Sequence, residues 1–167
     1  MMSLRGLSLG VASRLWWLPL TAAGLVADRG SRRHWLFAPG IVLLTATAST
    51  TGKLVIRRPR PGAHLRAAPI GRLGAASFPS THSACAFAIA AWMRRSRQRV
   101  WLHLLAATLG YSRVHGRVHH PSDVVAGGIL GYAIGRCVDW ISSVLVDAIE
   151  LLRYGSKSRG NLHAPTK

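Results

Sequence analysis

"ASFPSTHSACAFAIAAWM", residues 76–93, opens on Pro79, Ser80, Thr81 and His82 and then runs apolar to Met93. A segment with hydroxyls and an imidazole only at its mouth reads as a helix with a polar N-terminus, for which Ser77 is a candidate N-cap and Pro79 a suitable first-turn residue. A helix N-terminus gathers unpaired backbone N–H groups and the positive end of the helix dipole, so an anion would dock there. Taken alone, the stretch is explained as well by a simple cap with His82 at an interface. The neighbouring segments have to decide.

Working outward, apolar segments of near-spanning length recur at Leu15–Ala27, Trp35–Thr51, Phe78–Met93, Val100–Tyr111 and Val124 to about Leu145. They predict an all-α integral membrane helical bundle of about five transmembrane helices. Several are shorter than the roughly 20 residues that a hydrocarbon core requires. Their helices must therefore extend into polar flanks, as the first does by running back to Leu7. A secretory signal is the competing reading of the N-terminus, since Arg5 precedes an apolar run; cleavage after Ala27, however, would leave Leu25 where a small residue is wanted. A retained helix is favoured. The 167 residues, 49% of them apolar, are one domain's worth of chain. Residues 1–152 form that membrane domain, and 153–167 form a basic, polar tail predicted to be disordered.

Within the last apolar segment, Gly127, Gly131 and Gly135 recur every four residues, a stripe that lets helices approach closely in lipid. Cys85 and Cys137 lie inside apolar stretches without metal-binding spacing, so they read as small packing residues.

Charge is lopsided: 22 Lys and Arg face only five Asp and Glu, for a formal +17, which points to anionic partners. The basic residues are divided among loops that flank membrane helices, an arrangement that argues against nucleic acid. "DRGSRRH" at 28–34, "RRSRQR" at 94–99 and the C-terminal Arg153, Lys157, Arg159 and Lys167 fall on one side of a five-helix bundle. The tally is 11 on that side against 10 on the other, with Arg136 inside the last helix. Charge alone leaves the orientation open.

The loop after the second helix, "TGKLVIRRPRPGAHLR" at 51–66, crowds Lys53, Arg57, Arg58, Arg60 and Arg66. By itself it reads as a solvated loop drawn to lipid headgroups. The fourth helix runs out into "YSRVHGRVHHPSDVVAGG" at 111–128, which holds Arg113, His119 and Asp123. Asp123 either complements the dipole of the last helix, which Pro121 starts, or holds an imidazole in one tautomer. In an alternating bundle the second helix ends, the third begins, the fourth ends and the fifth begins on one face. Lys53, Arg60, Ser80, Thr81, His82, Arg113, His119 and Asp123 then meet there.

These residues resemble the three-part signature of the type 2 phosphatidic acid phosphatase (PAP2) superfamily, K-x6-RP, PSGH and SR-x5-H-x3-D. The first part is "KLVIRRPRP" with Lys53, Arg60 and Pro61 in register; the second is "PSTH", Pro79–His82; the third is "SRVHGRVHHPSD" with Ser112, Arg113, His119 and Asp123 in register. The likeness spans residues 53–135, and three spaced parts in order make it specific. One position departs: Thr81 stands where the family has glycine.

The resemblance implies a lipid phosphate phosphatase in which His119 attacks phosphorus and forms a phosphohistidine while Asp123 supports its other ring nitrogen. His82 would protonate the leaving oxygen, and Lys53, Arg60, Ser80, Thr81 and Arg113 would hold the phosphoryl oxygens. No metal or other cofactor is implied, because a two-metal phosphatase needs several carboxylates and this face offers one. His64, His115, His120, Arg57, Arg58, Arg66, Arg72 and Arg117 lie outside the signature and read as headgroup or interface contacts. The substrate class is a phosphomonoester or diphosphate of a lipid: phosphatidic acid, phosphatidylglycerophosphate, a polyprenyl diphosphate or a polyprenyl-linked sugar phosphate.

Assigning Lys53, Arg60 and Arg113 to catalysis leaves seven basic residues on the site's face against 11 opposite, so the positive-inside rule favours a site outside the cytoplasm. The resemblance to small single-domain members of the family implies a bacterial plasma membrane. The alternative is a non-enzymatic basic membrane protein that binds anionic lipids. It gives no reason for the register of His82, His119 and Asp123. A Ser-His-Asp hydrolase built on Ser80 lacks a nucleophile elbow. Oligomeric state is not legible.

Overall fold

A run of small residues decides how the helices come together. The structure, a computed structural model, describes residues 17–61 and 76–161. Leu7, His64, Arg66 and Arg72, to which the sequence assigns roles, lie outside them, as do the N-terminal residues on which the signal question turns.

Among the described residues there are five α-helices: α1 (Trp17–Ala27), α2 (Arg32–Ile56), α3 (Thr81–Trp92), α4 (Arg99–His115) and α5 (Pro121–Asn161). A short 3-10 turn at Arg29–Ser31 joins the first two.

α3 is the central helix, packed on α2, α4 and α5 and buried along almost its whole length. Its alanines admit the glycine stripe of α5: a Cβ on Gly127 would overlap the Ser80 carbonyl, one on Gly131 the Ala84 carbonyl, and one on Gly135 the Ala88 carbonyl. Both helices step by four residues, so the contact repeats each turn and backbone meets backbone. On its other side α3 shares an apolar core with α2, in which Trp35, Ala38, Ile41 and Val42 meet Cys85, Ala88, Ile89 and Trp92.

At twelve residues, α3 is about 18 Å long, against about 30 Å of hydrocarbon. Its neighbours cover it, so it needs no spanning length of its own. Two helical stretches, Arg29–Ile56 and Pro121–Tyr154, are long and apolar enough to cross a membrane. Outward they expose Phe37, Leu43, Val125, Ile129 and Trp140, side chains suited to hydrocarbon contact. The chain is an all-α membrane helical bundle. α5 continues to Asn161, past Tyr154 where the sequence predicts a disordered tail; helix propagation adds a hydrogen bond per residue and needs no apolar face.

α3 also starts later than expected. Ser77 does not cap it, because its N–H donates to the Arg58 carbonyl at 2.8 Å and its hydroxyl lies 3.1 Å from the carbonyls of both Arg58 and Pro59. The chain stays extended through the Pro59–Ala76 bridge, and Ser80 becomes the N-cap.

The end of the bundle away from this cap is held by its few acids. Asp28 accepts from the Ser96 hydroxyl, and Asp139 pairs with Arg94 and Arg136. The Trp92 indole donates to the His34 carbonyl at 3.0 Å.

Candidate active site

Ser49 and Lys53 lie one turn apart on the buried face of α2. Gly52 lets that turn approach the α3 entry, since a Cβ there would stand 2.9 Å from Pro79 Cδ. The Lys53 ammonium donates to the Pro79 carbonyl, to Thr81 Oγ1 at 2.7 Å and to Ser49 Oγ at 3.3 Å. Only 7% of Lys53 is exposed.

Arg57 ends α2 in the left-handed conformation, φ 49°, and its N–H closes on the Lys53 carbonyl at 3.1 Å. The turn sends Arg58 to Asp123 Oδ1 at 3.0 Å and Ser122 Oγ at 2.6 Å. Arg60 donates to the Val118 carbonyl at 2.9 Å and stands 3.5 Å from His119 Nε2.

Ser80 is fully buried between α3 and α5. Its N–H donates to the Asp123 carbonyl at 2.9 Å, and its Oγ accepts from Ser83 Oγ at 3.1 Å and from the Ser83 N–H at 3.5 Å. Thr81 and His82 follow in the first turn of α3, each half-buried.

The loop after α4 is a tight reversal in which Arg117, φ 49°, permits the Val118 and His119 N–H groups to share the Arg113 carbonyl, at 3.1 and 3.2 Å. Arg113 is thus the last-turn residue on which the His119 loop is hung, and its own Nε donates to Ser112 Oγ at 3.3 Å.

His119 is 4% exposed, with Nδ1 3.7 Å from Asp123 Oδ2 and Nε2 toward Arg60. Burial, with the positive charge of Arg60 and Lys53, pushes the imidazole down to about 4 against the opposing pull of Asp123. The ring is neutral at physiological pH.

Asp123 is completely buried and spends its second oxygen on α5 itself, accepting from the His120 N–H at 2.8 Å and facing His120 Nδ1 at 3.2 Å. With Pro121 opening the helix, this is the return half of a capping box, an acid in the third helical position holding the N-cap amide. Of the two readings of Asp123, the structure has the cap on α5; the same oxygen faces His119 Nδ1 at 3.7 Å, beyond hydrogen-bond length, and that nitrogen has no hydrogen-bond partner among the described residues.

One end of the bundle thus carries all eight residues singled out in the sequence, with Lys53 joined to Thr81, Arg60 to His119, Ser80 to the Asp123 backbone, and His82 and Arg113 on the adjoining helix turns. Arg58 and His120, expected at lipid headgroups, instead engage Asp123. Ser49 and Ser122 also take part and carried no signal, because serines in loops and small-residue helices have no distinguishing pattern, while Ser77, expected to cap α3, ties the Arg58–Pro59 segment instead. Arg58 lay in the run between Lys53 and Arg60, where spacing alone does not separate a buried-carboxylate partner from a solvated arginine.

A basic cluster with one carboxylate and His82, His119 and His120 at the capped ends of a membrane helix bundle suits phosphoryl chemistry. The family model of the PAP2 superfamily matches residues 34–145, and the chain belongs to that family. It is a phosphatase, a hydrolase of phosphoric ester bonds, which sets aside the non-enzymatic lipid-binding alternative.

Among its relatives is the decaprenylphosphoryl-5-phosphoribose phosphatase of Mycobacterium tuberculosis (strain CDC 1551 / Oshkosh), 33% identical over 81% of this chain and 76% of the relative. The protein of the same name from Mycolicibacterium smegmatis is 34% identical over 66% of this chain and 62% of its own length. The undecaprenyl-diphosphatase BcrC of Bacillus subtilis is 34% identical over 81% of this chain and 72% of its own. No solved structure matches the chain.

Proposed function

We propose that the chain removes phosphate from a polyprenyl-linked phosphate or diphosphate at the outer face of a bacterial plasma membrane, through a phosphohistidine and without a metal. The observation that carries this is the orientation of His119, with Nδ1 toward Asp123 and Nε2 toward Arg60. A neutral imidazole so held carries its proton on Nδ1 and presents the Nε2 lone pair to the cationic pocket where a phosphoryl group would be drawn.

Nε2 forms the P–N bond as the P–O bond to the lipid alkoxide, or to the phosphorylated lipid of a diphosphate, breaks. His82 gives its proton to that oxygen. His82 then takes a proton from water, whose oxygen attacks phosphorus and breaks the P–N bond, releasing phosphate and restoring both histidines. Arg60, Arg113, Ser80 and Thr81 offer donors to the phosphoryl oxygens as charge builds on them, each worth on the order of 3 kcal/mol in the barrier. The polyprenyl carrier is favoured over phosphatidic acid and phosphatidylglycerophosphate by the names of the relatives that align along most of the chain. The outer face is supported by the positive-inside rule, with 11 basic residues opposite and seven on the site's face once Lys53, Arg60 and Arg113 are assigned to the site.

Phosphate release by the purified protein, with chelator present, from undecaprenyl diphosphate, a decaprenyl-linked ribose phosphate, phosphatidic acid and phosphatidylglycerophosphate tests the reading. Turnover of the polyprenyl substrates, its inhibition by orthovanadate and its loss in His119→Ala are expected. Loss of activity to the chelator, or full activity in His119→Ala, would sink the mechanism.

A further inference from the structure

The position at which the chain departs from the family signature is tied to one of its cations. Lys53 Nζ has three N–H bonds, and three protein oxygens stand ready for them: the Pro79 carbonyl, Thr81 Oγ1 at 2.7 Å and Ser49 Oγ at 3.3 Å. No donor is left for a phosphoryl oxygen unless one of these is given up. Ser49 and Thr81 also meet each other, Oγ to Oγ1, at 2.8 Å. Of the three side chains Ser49 is fully buried and Lys53 nearly so, whereas Thr81 is half-open at the mouth of α3.

We propose that Thr81, with Ser49 behind it, relays the charge of Lys53 to the phosphoryl group, so that Lys53 is a positioning residue and the Thr81 hydroxyl the group that touches substrate. The relay assigns the donor of the Ser49–Thr81 pair to Ser49, whose hydroxyl also lies 3.5 Å from the Pro79 carbonyl; Thr81 then accepts from both Lys53 and Ser49, which fills its lone pairs and turns its own proton outward. An ammonium behind a hydroxyl makes that hydroxyl a stronger donor, since hydrogen bonds in a chain polarise one another. A glycine at 81 would leave Lys53 without this acceptor and the site without this donor. The proposal rests on the phosphatase reading above.

The test is a double-mutant cycle on the purified full-length protein, read by phosphate release from undecaprenyl diphosphate in detergent micelles and, separately, by thermal unfolding. Thr81→Val, which keeps the shape and removes the hydroxyl, is expected to lower kcat about 100-fold with little change in KM, while Thr81→Ser stays within about fivefold of wild type. Lys53→Met is expected to cost a similar factor, and the Thr81→Val, Lys53→Met double variant no more than the worse single change.

Thr81→Val with wild-type kcat, or losses that multiply in the double variant, would overturn the relay. So would a coupling visible in unfolding temperature and absent from kcat, because it would make the triad structural only. A wild-type protein that releases no phosphate from undecaprenyl diphosphate would instead defeat the polyprenyl-diphosphate reading of the site, and the relay argued on it.

Discussion

His119 sits where its protonation and its reactivity are opposed by the same neighbours. With its ordinary value of 6.5 lowered to about 4 by burial and by Arg60 and Lys53, the folded protein binds fewer protons than the unfolded chain between those pH values. Its contribution to stability is therefore neutral above pH 6.5, turns unfavourable as pH falls below it, and levels off below pH 4. For catalysis, the acid limb of kcat/KM is expected well below pH 6.5 wherever His119 controls it. Replacing Arg60 by Gln removes one of the charges that depress the imidazole and should move that limb upward, a shift read from pH–rate profiles of the two proteins. Arg58 gives a second residue-level expectation. It is the cation on the buried Asp123 and lies outside the family signature, so Arg58→Gln should lower kcat about tenfold, the partly open guanidinium making the loss smaller than that of a buried pair. Activity unchanged in Arg58→Gln would show that the capping contacts alone hold Asp123.

Between elements, the contact of α3 with α5 connects stability to chemistry. Gly131 and Gly135 press on Ala84 and Ala88 along the helix, whereas Gly127 presses on the backbone of Ser80 at the site itself. Alanine at Gly131 should cost about 2 kcal/mol or more, because backbone and not a side-chain tip must move. Gly127→Ala should lose comparable stability and also most of its activity, since the displaced Ser80 is hydrogen-bonded to the Asp123 carbonyl. Thermal unfolding in detergent alongside phosphate release separates the two effects; equal specific activity of the folded fractions of Gly127→Ala and Gly135→Ala would contradict the link. The glycine stripe was legible as a packing device from its spacing alone. Its partner was not, because α3 carries alanine on nearly every face and only the docked pair shows which face is used.

The whole molecule divides its charge between two ends. The site end gathers cations around one acid, while the opposite end brings Arg29, Arg95 and Arg97 around Asp28 and pairs Arg94 with Asp139. Orientation is thus a property of the assembled bundle and can be checked directly. In a variant whose native Cys85 and Cys137 are replaced by serine, a cysteine at Arg117 should react with a membrane-impermeant maleimide added to intact cells, and a cysteine at Arg97 only after the membrane is opened. The reverse pattern would turn the site toward the cytoplasm.

The sequence by itself determined the helical membrane class, the meeting of four helix ends at one face and the residues that gather there, because hydropathy runs and signature spacing are local properties of the chain. Only the tertiary structure decided what those residues touch: that Asp123 closes a capping box while also taking Arg58, that Ser80 and not Ser77 caps α3, and that Lys53 spends its donors on Pro79, Thr81 and Ser49. Each of these is a choice among nearby hydrogen-bond partners. Such choices are made by distances between segments far apart in the chain, and no spacing along the sequence encodes them.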